Sequence, residues 1–150
     1  MKIECTKEEF KALMDLVYAG NLLINGTRSK EERVEQYASM EQMMFKIAKE
    51  EYGLDELVEY SEEYEEYMPT HEYEEDEFND YIDAYDTSVF WEELVMRLAR
   101  RDALNYAGDV DQNITKAALK EMQLGFEEKY EEEIEANGLM NLKIVKLEQE

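Results

Sequence analysis

The sequence contains one cysteine, one histidine and one proline. A single cysteine, Cys5, excludes an intramolecular disulfide and a cysteine-based zinc site. A single histidine, His71, excludes zinc and di-iron sites that require two histidines. Because no cofactor motif remains, we expect no cofactor and no bound metal.

Long apolar runs are also missing. No stretch of 18 apolar residues is present, so the sequence predicts no membrane-spanning helix and no membrane partner. The first residues, MKIECTKEEF, lack the apolar run of a signal peptide. We therefore expect a cytoplasmic location.

Motifs for nucleotide binding and for a catalytic serine nucleophile are absent as well. There is no Walker A loop, no G-x-G-x-x-G and no G-x-S-x-G. Carboxylates are so abundant that an acid–base pair could be drawn almost anywhere, which gives such a pair no weight by itself. These absences favour a non-enzymatic protein over an enzyme.

Basic residues are missing from one long segment. Residues 50–96 hold 19 acids and no Lys or Arg, whereas residues 1–49 hold 8 acids and 8 bases. The formal net charge of the chain is −23. Such a field repels nucleic acid and anionic lipid and attracts basic proteins or divalent cations.

The remaining composition is that of a folded chain. At 150 residues, with 44% hydrophobic and 11% aromatic residues, it can bury a core that a disordered acidic chain lacks. No Ser/Gly-rich linker interrupts it, so we predict a single domain over residues 1–150.

Helical periodicity dominates the chain. Capping boxes at Thr6 and Ser29 predict the starts of the first two helices, and Gly26 and Gly53 their ends. Further helices are predicted over residues 54–67, from Glu72, from Asp86 or Thr87 to Tyr106, and from Asn113 or Thr115 to Ala136. The stripe of Phe90, Trp91, Leu94, Val95 and Leu98 is expected to be the densest part of the core.

The two ends alternate apolar and polar residues, around Ile3 and Cys5 and around Met140, Leu142 and Ile144. This alternation predicts two short strands that can pair. The predicted fold class is therefore mainly α, with five to six helices in one compact bundle-like domain and a small two-stranded β element from the two termini.

The segment EYSEEYEEYMPTHEYEEDEFNDYIDAYD, residues 59–86, combines acids with regularly spaced aromatic residues. Tyr60, Tyr64 and Tyr67 follow a helical spacing. In the helix predicted from Glu72, Asp76, Asp80 and Asp83 are expected to lie opposite an apolar stripe. We expect Tyr60, Tyr64, Phe78 and Tyr85 to anchor the segment to the core, leaving the acids in outward rows.

These features suggest an acidic protein-interaction domain. It would present a carboxylate and tyrosine surface, residues 59–86, to a basic protein partner, with DNA mimicry as one form of that role. Mimicry has a physical basis in the 8 acids between Glu72 and Asp86, whose spacing along one helix would approach that of phosphates on a DNA strand. The residues expected to face the partner are Glu62, Glu65, Glu66, Asp76, Asp80 and Asp83.

Two other classes of function stay open. One is an enzyme that uses buried carboxylates, which requires an acid with a raised pKa inside a cleft. The other is a weak binder of divalent cations. The sequence permits a monomer and a homodimer equally.

Overall fold

The computed structural model describes residues 4–110 and 114–143, and in this part of the chain the fold is mainly α, as predicted. It has five helices and one two-stranded antiparallel sheet. In chain order the elements are α1 (Lys7–Asn25), a 3₁₀ turn (Lys30–Glu32), α2 (Glu35–Glu50), β1 (Val58–Ser61), β2 (Glu66–Pro69), α3 (His71–Glu74), α4 (Glu77–Val110) and α5 (Lys116–Asn137).

Contacts group the chain into two compact units, residues 1–84 and residues 85–150. The first contains α1, α2, the β-hairpin, α3 and the first turns of α4. The second contains the rest of α4, and α5. The single domain over residues 1–150 stays a prediction.

The ends of α1 and α5 follow local sequence signals. The Thr6 hydroxyl accepts the Glu9 amide at 3.2 Å, and the Glu9 carboxylate accepts the Thr6 amide at 2.8 Å. This is the predicted capping box. Thr115 caps α5 in the same way, by accepting the Ala118 amide at 3.2 Å. Gly138 follows α5 with a φ of +57°, a left-handed conformation that glycine adopts without strain.

The start of α2 differs from the prediction. The Ser29 side chain caps nothing, and α2 begins only after Val34. The reason is a pair of hydrogen bonds from the end of α1. The Asn25 side chain accepts the Val34 amide at 2.8 Å and donates to the Val34 carbonyl at 3.3 Å. These bonds hold Val34 in an extended conformation, so α2 starts at Glu35 rather than directly after Ser29.

The helix predicted over residues 54–67 is wrong, because this segment forms the β-hairpin. Tyr60 pairs with Tyr67 across the strands, and Val58 pairs with Pro69. Two hydrogen bonds attach β2 to α2: the Gln42 side chain accepts the Tyr67 amide at 2.7 Å and donates to the Tyr67 carbonyl at 2.9 Å. Glu65, with a φ of +55°, adopts the left-handed conformation in the turn.

The small two-stranded sheet of the described residues is formed by β1 and β2 rather than by the chain ends. Residues 4–6 are not a strand, and residues 140–143 form turn and irregular backbone. The remaining parts of the two predicted strands, residues 1–3 and residues 144–150, lie outside the described residues, so their pairing stays a prediction.

Helix α4 is continuous from Glu77 to Val110, although a break was predicted at Asp86 or Thr87. The predicted dense core on this helix is wrong as well. Phe90 is 51% exposed, and among the α4 side chains up to residue 108 those that are buried are Val95, Ala99, Ala103 and Ala107.

The main core lies in the first unit, between the α1–α2 pair and the segment from Leu54 to Tyr73. Its buried members are Phe10, Met14, Met44, Phe45, Ala48, Leu54, Leu57, Val58 and Tyr73. Burying such side chains contributes roughly 1.5–3 kcal/mol each. Among the described helices, none is both long enough and apolar enough to cross a lipid bilayer.

Candidate functional site

The hairpin turn carries the first group of predicted acids. Glu62 and Glu65 are exposed in the turn between β1 and β2. Glu66, the first residue of β2, instead forms an ion pair with Arg33 at 3.1 Å. Glu62 and Glu65 are therefore displayed to solvent, while Glu66 also ties the hairpin to the start of α2.

The second group lies around the start of α4. Asp76 precedes the helix, accepts the Phe78 amide at 3.0 Å and pairs with Lys11 at 3.2 Å. The backbone hydrogen bond from Phe78 and the Lys11 ammonium hold the pKa of Asp76 below its usual value. Asp80 and Asp83, on α4 itself, are exposed.

The row of acids predicted from Glu72 along one helix is interrupted. Helix α3 ends at Glu74, the chain bends at Glu75 and Asp76, and α4 begins at Glu77. The even spacing along a single axis on which the DNA comparison depends is therefore lost over this segment.

The predicted aromatic anchors differ from the observed ones. Tyr60, Tyr64 and Tyr85 are 47%, 61% and 61% exposed, so they do not hold the segment to the core. Phe78 is half-buried, with its ring 6.4 Å from that of Tyr18. The residue that anchors the segment most completely is Tyr73, which is fully buried.

Tyr73 belongs to a polar network that sequence reasoning missed. Its hydroxyl donates to the buried Asp15 carboxylate at 2.9 Å, and Lys11 donates to the same carboxylate at 2.9 Å. Burial, and then the Asp15 charge, raise the pKa of Tyr73 strongly, which keeps the phenol protonated and donating. Burial by itself would lower the pKa of Lys11. The hydrogen bonds and charges of Asp15 and Asp76 outweigh burial, so the pKa of Lys11 is raised.

The sequence did contain a signal for this network. Asp15 is the only charged residue between Lys11 and Arg28, and it follows the buried Met14 in an otherwise apolar helix. A lone acid at such a position requires partners, because burying an unpaired charge is costly.

A second missed acid, Glu41, lines a cleft of about 460 Å³ beside the end of α1 and the start of α2. Burial raises the pKa of Glu41. A hydrogen bond from Asn21 and the positive charge of Arg33 partly oppose this rise, and the negative charge of Glu66 adds to it. The rim of this cleft includes the cationic side chains of Arg28, Lys30 and Arg33. Glu41 therefore has the property that a carboxylate enzyme requires, a raised pKa within a cleft.

Glu41 makes a prediction about pH. The pKa of Glu41 in the folded chain lies above the ordinary value of 4.5. At a pH between the unfolded and the folded pKa, the unfolded chain has therefore released a proton that the folded chain retains. The free energy of unfolding of the wild type, minus that of Glu41→Gln, should therefore fall as pH rises from about 4 to about 7. Urea denaturation at several pH values measures this difference. Glu35→Gln removes an exposed acid from the same helix and is the matched control, and a difference that rises with pH would contradict the prediction.

His71 is exposed and lies 3.3 Å from Glu75. Within residues 4–110 and 114–143, no group of three or more His, Cys, Asp or Glu side chains is arranged to hold a metal ion. The described side chains thus add no support for the divalent-cation hypothesis.

Comparison with protein-family models, with curated proteins and with solved structures finds no match to this chain. The functional argument therefore depends on the chemistry of the side chains described above.

Proposed function

We propose that the protein binds a basic protein partner through exposed carboxylates and tyrosines of its first unit. The surface we infer, called here the acidic tyrosine surface, consists of Tyr60, Glu62, Tyr64, Glu65, Asp80, Tyr81 and Asp83. Glu66 and Asp76 are left out because each is engaged in an internal ion pair.

The observation that carries the proposal is the exposure of tyrosines among acids. Tyr60, Tyr64 and Tyr81 are 47%, 61% and 64% exposed, in a segment that has no Lys or Arg. Solubility explains exposed carboxylates, but it does not explain exposed aromatic rings beside them. Tyrosine is enriched at binding hot spots because its ring buries a large area at a small loss of side-chain entropy.

Electrostatics determine the class of partner. Residues 50–96 hold nineteen acids and no Lys or Arg, and bases from other segments pair with only some of these acids. The excess of carboxylates makes this region attractive to a positively charged surface and repulsive to DNA, RNA and anionic lipid. The hairpin turn offers carboxylates on a tight loop, and α4 offers them on a helix. A partner with Lys or Arg around an apolar patch would complement both charges and rings.

The test is affinity capture from the native host at about 0.05 M and about 0.5 M salt, a range over which exposed charge pairs are increasingly screened. We expect a basic protein that is retained at low salt and released at high salt. Two variants should lose it: a charge variant with Glu62→Gln, Glu65→Gln, Asp80→Asn and Asp83→Asn, and a ring variant with Tyr60→Ser and Tyr64→Ser.

A matched control separates specific binding from general attraction to a polyanion. It removes four exposed acids of α5 instead, with Glu121→Gln, Glu128→Gln, Glu132→Gln and Glu135→Gln. Equal loss of the partner in this control and in the charge variant would contradict the proposal. Release of the partner by short duplex DNA would identify the DNA-mimic form of the function, and failure of DNA to release it would exclude that form.

The Glu41 cleft supports a second candidate, a site at which a carboxyl group with a raised pKa acts on or binds a small ligand. Arg33 and Asn21 beside Glu41 provide a cation and an amide for orienting a polar group. Chemical-shift perturbation of residues lining the cleft by a small polar ligand, lost in Glu41→Gln, would favour this candidate over the first.

A further inference from the structure

The outer side of α1 carries large apolar side chains that the described residues leave exposed. Leu16 and Leu23 are 68% and 77% exposed, and Leu13 is exposed as well. The charged and polar contacts of this helix lie elsewhere, because Lys11, Asp15 and Tyr18 contact the segment from Tyr73 to Phe78. At 100° per residue, Leu16 and Leu23 lie about 120° around the helix from those contacts.

Helix α2 adds to the same apolar surface. The bond of Asn25 to Val34 and the ring contact of Tyr18 with Phe45 make α1 and α2 antiparallel neighbours. Tyr37 and Met40 of α2 are exposed, on the side away from Gln42, which binds the hairpin. We define the leucine face as Leu13, Leu16, Gly20, Leu23, Tyr37 and Met40.

We infer that the leucine face is the interface of a homodimer, in which the α1–α2 pairs of two copies pack as a four-helix arrangement around a two-fold axis. Nothing in this inference depends on the acidic tyrosine surface. It rests on the charge, the size and the surface shape of the leucine face.

Charge favours a second copy as the occupant. Two chains of formal charge −23 repel each other, so they can meet only where the acids are few. The leucine face has no charged member, and residues 1–49, which include both of its helices, carry equal numbers of acids and bases. A basic partner would find no charge here to bind. An anionic membrane would be repelled, and the face offers no Lys or Arg for its lipids.

The size of the face is close to the lower limit for a specific dimer. Helices α1 and α2 contain 19 and 16 residues, so each is about 25 Å long. Side by side the two helices cover roughly 25 Å by 20 Å, a flat area of about 500 Å² that does not include the uneven surface of the side chains. This approaches the roughly 600 Å² per partner at the lower end of specific interfaces.

The surface shape of the leucine face suits close packing of helices. Gly20 lies in the interior of α1 beside Leu16 and Leu23, and a Cβ atom built on it would meet nothing within 4 Å. A glycine inside a helix lowers stability by about 1 kcal/mol relative to alanine, and no contact with residues 4–110 or 114–143 explains its presence here. A neighbouring copy does, since its leucine can enter the space above Gly20 as a knob enters a hole.

Sedimentation equilibrium of the full chain, at concentrations from about 1 to about 200 µM, tests the inference. We expect a mass twice the 17.8 kDa of one chain. Because like charges are screened by salt, dimerisation should strengthen as sodium chloride rises, which is the opposite of the behaviour expected for the acidic tyrosine surface. A 17.8 kDa species across the whole range would overturn the inference.

Variants locate the interface. Leu16→Glu with Leu23→Glu should yield a monomer with an unchanged far-UV spectrum, because both side chains are exposed. Leu104→Glu with Leu124→Glu adds the same charge at exposed leucines of α4 and α5 and should leave the dimer intact. Gly20→Leu, which favours the helix but fills the space above Gly20, should weaken dimerisation at least tenfold. Dimers that persist in both face variants would place the interface elsewhere and refute the inference.

Discussion

Replacement of Tyr73 by alanine is expected to lower the free energy of unfolding of the first unit by about 3–5 kcal/mol. Tyr73 is fully buried, and its ring makes edge contacts with Tyr18 and Phe45 at 5.4 and 6.2 Å between centroids. Truncation removes this packing and leaves the buried Asp15 without the phenol donor. Urea denaturation followed by far-UV circular dichroism measures the loss.

Two further variants divide this effect into its parts. Tyr73→Phe keeps the ring and removes only the hydroxyl, so the expected loss is about 1–3 kcal/mol, the range for one unsatisfied buried polar group. Tyr81→Ala removes an exposed tyrosine from α4 and should change stability by less than about 0.5 kcal/mol. A Tyr73→Ala variant as stable as Tyr81→Ala would show that Tyr73 is not the anchor of the segment.

The second large effect is expected from proline in α4. Ser88→Pro lies inside the continuous helix, where it removes the amide hydrogen and sets the ring against the carbonyl of Ala84. The expected loss is about 3 kcal/mol or more, with a fall in helical signal. If a helix instead began after a Thr87 cap, position 88 would be its first residue, where proline is well tolerated.

The single substitution thus separates a continuous helix from two helices. Ser88→Ala is the matched control, since alanine favours the helix and should leave the signal unchanged or slightly higher. Thermal denaturation and the far-UV spectrum of both variants provide the measurement. Equal stability of Ser88→Pro and Ser88→Ala would contradict the continuous helix.

Local signals in the sequence predicted the elements that local interactions define. Thr6 with Glu9, and Thr115, determine where α1 and α5 begin through hydrogen bonds to residues three positions away. Ser29 showed the limit of this reasoning. It has the same pattern as Thr6, but the side chain of Asn25 holds Val34 and moves the start of α2.

The hairpin was mistaken for a helix because two periods coincide in its tyrosines. Tyr60, Tyr64 and Tyr67 have helical spacing, while Tyr60 and Tyr67 are also cross-strand partners once a turn forms between them. Gln42 favours the hairpin, because its side chain binds the Tyr67 backbone from another helix. No pattern within residues 58–69 contains that contact.

The candidate site was predictable in charge but not in exposure. Counting acids identifies the segment without Lys or Arg, whereas the pairing of Glu66 with Arg33 joins residues 33 positions apart and is not visible in such a count. The residue type likewise could not show that Tyr73 is buried and Tyr64 is exposed. One is fully buried and the other is 61% exposed, because only the first meets the α1–α2 core.

The network around Asp15 also has a consequence for the order of folding. Its bonds to Tyr73 and to Lys11, which in turn reaches Asp76, connect residues 58 and 65 positions apart, while α1 and α2 are joined by a short connection. Closing a longer loop costs more chain entropy and slows the contacts that depend on it. We therefore expect the α1–α2 pair to form early and Tyr73 to insert late, when the acidic segment closes over the helical pair; phi-value analysis of Tyr73→Phe, with a value near zero expected, measures this order.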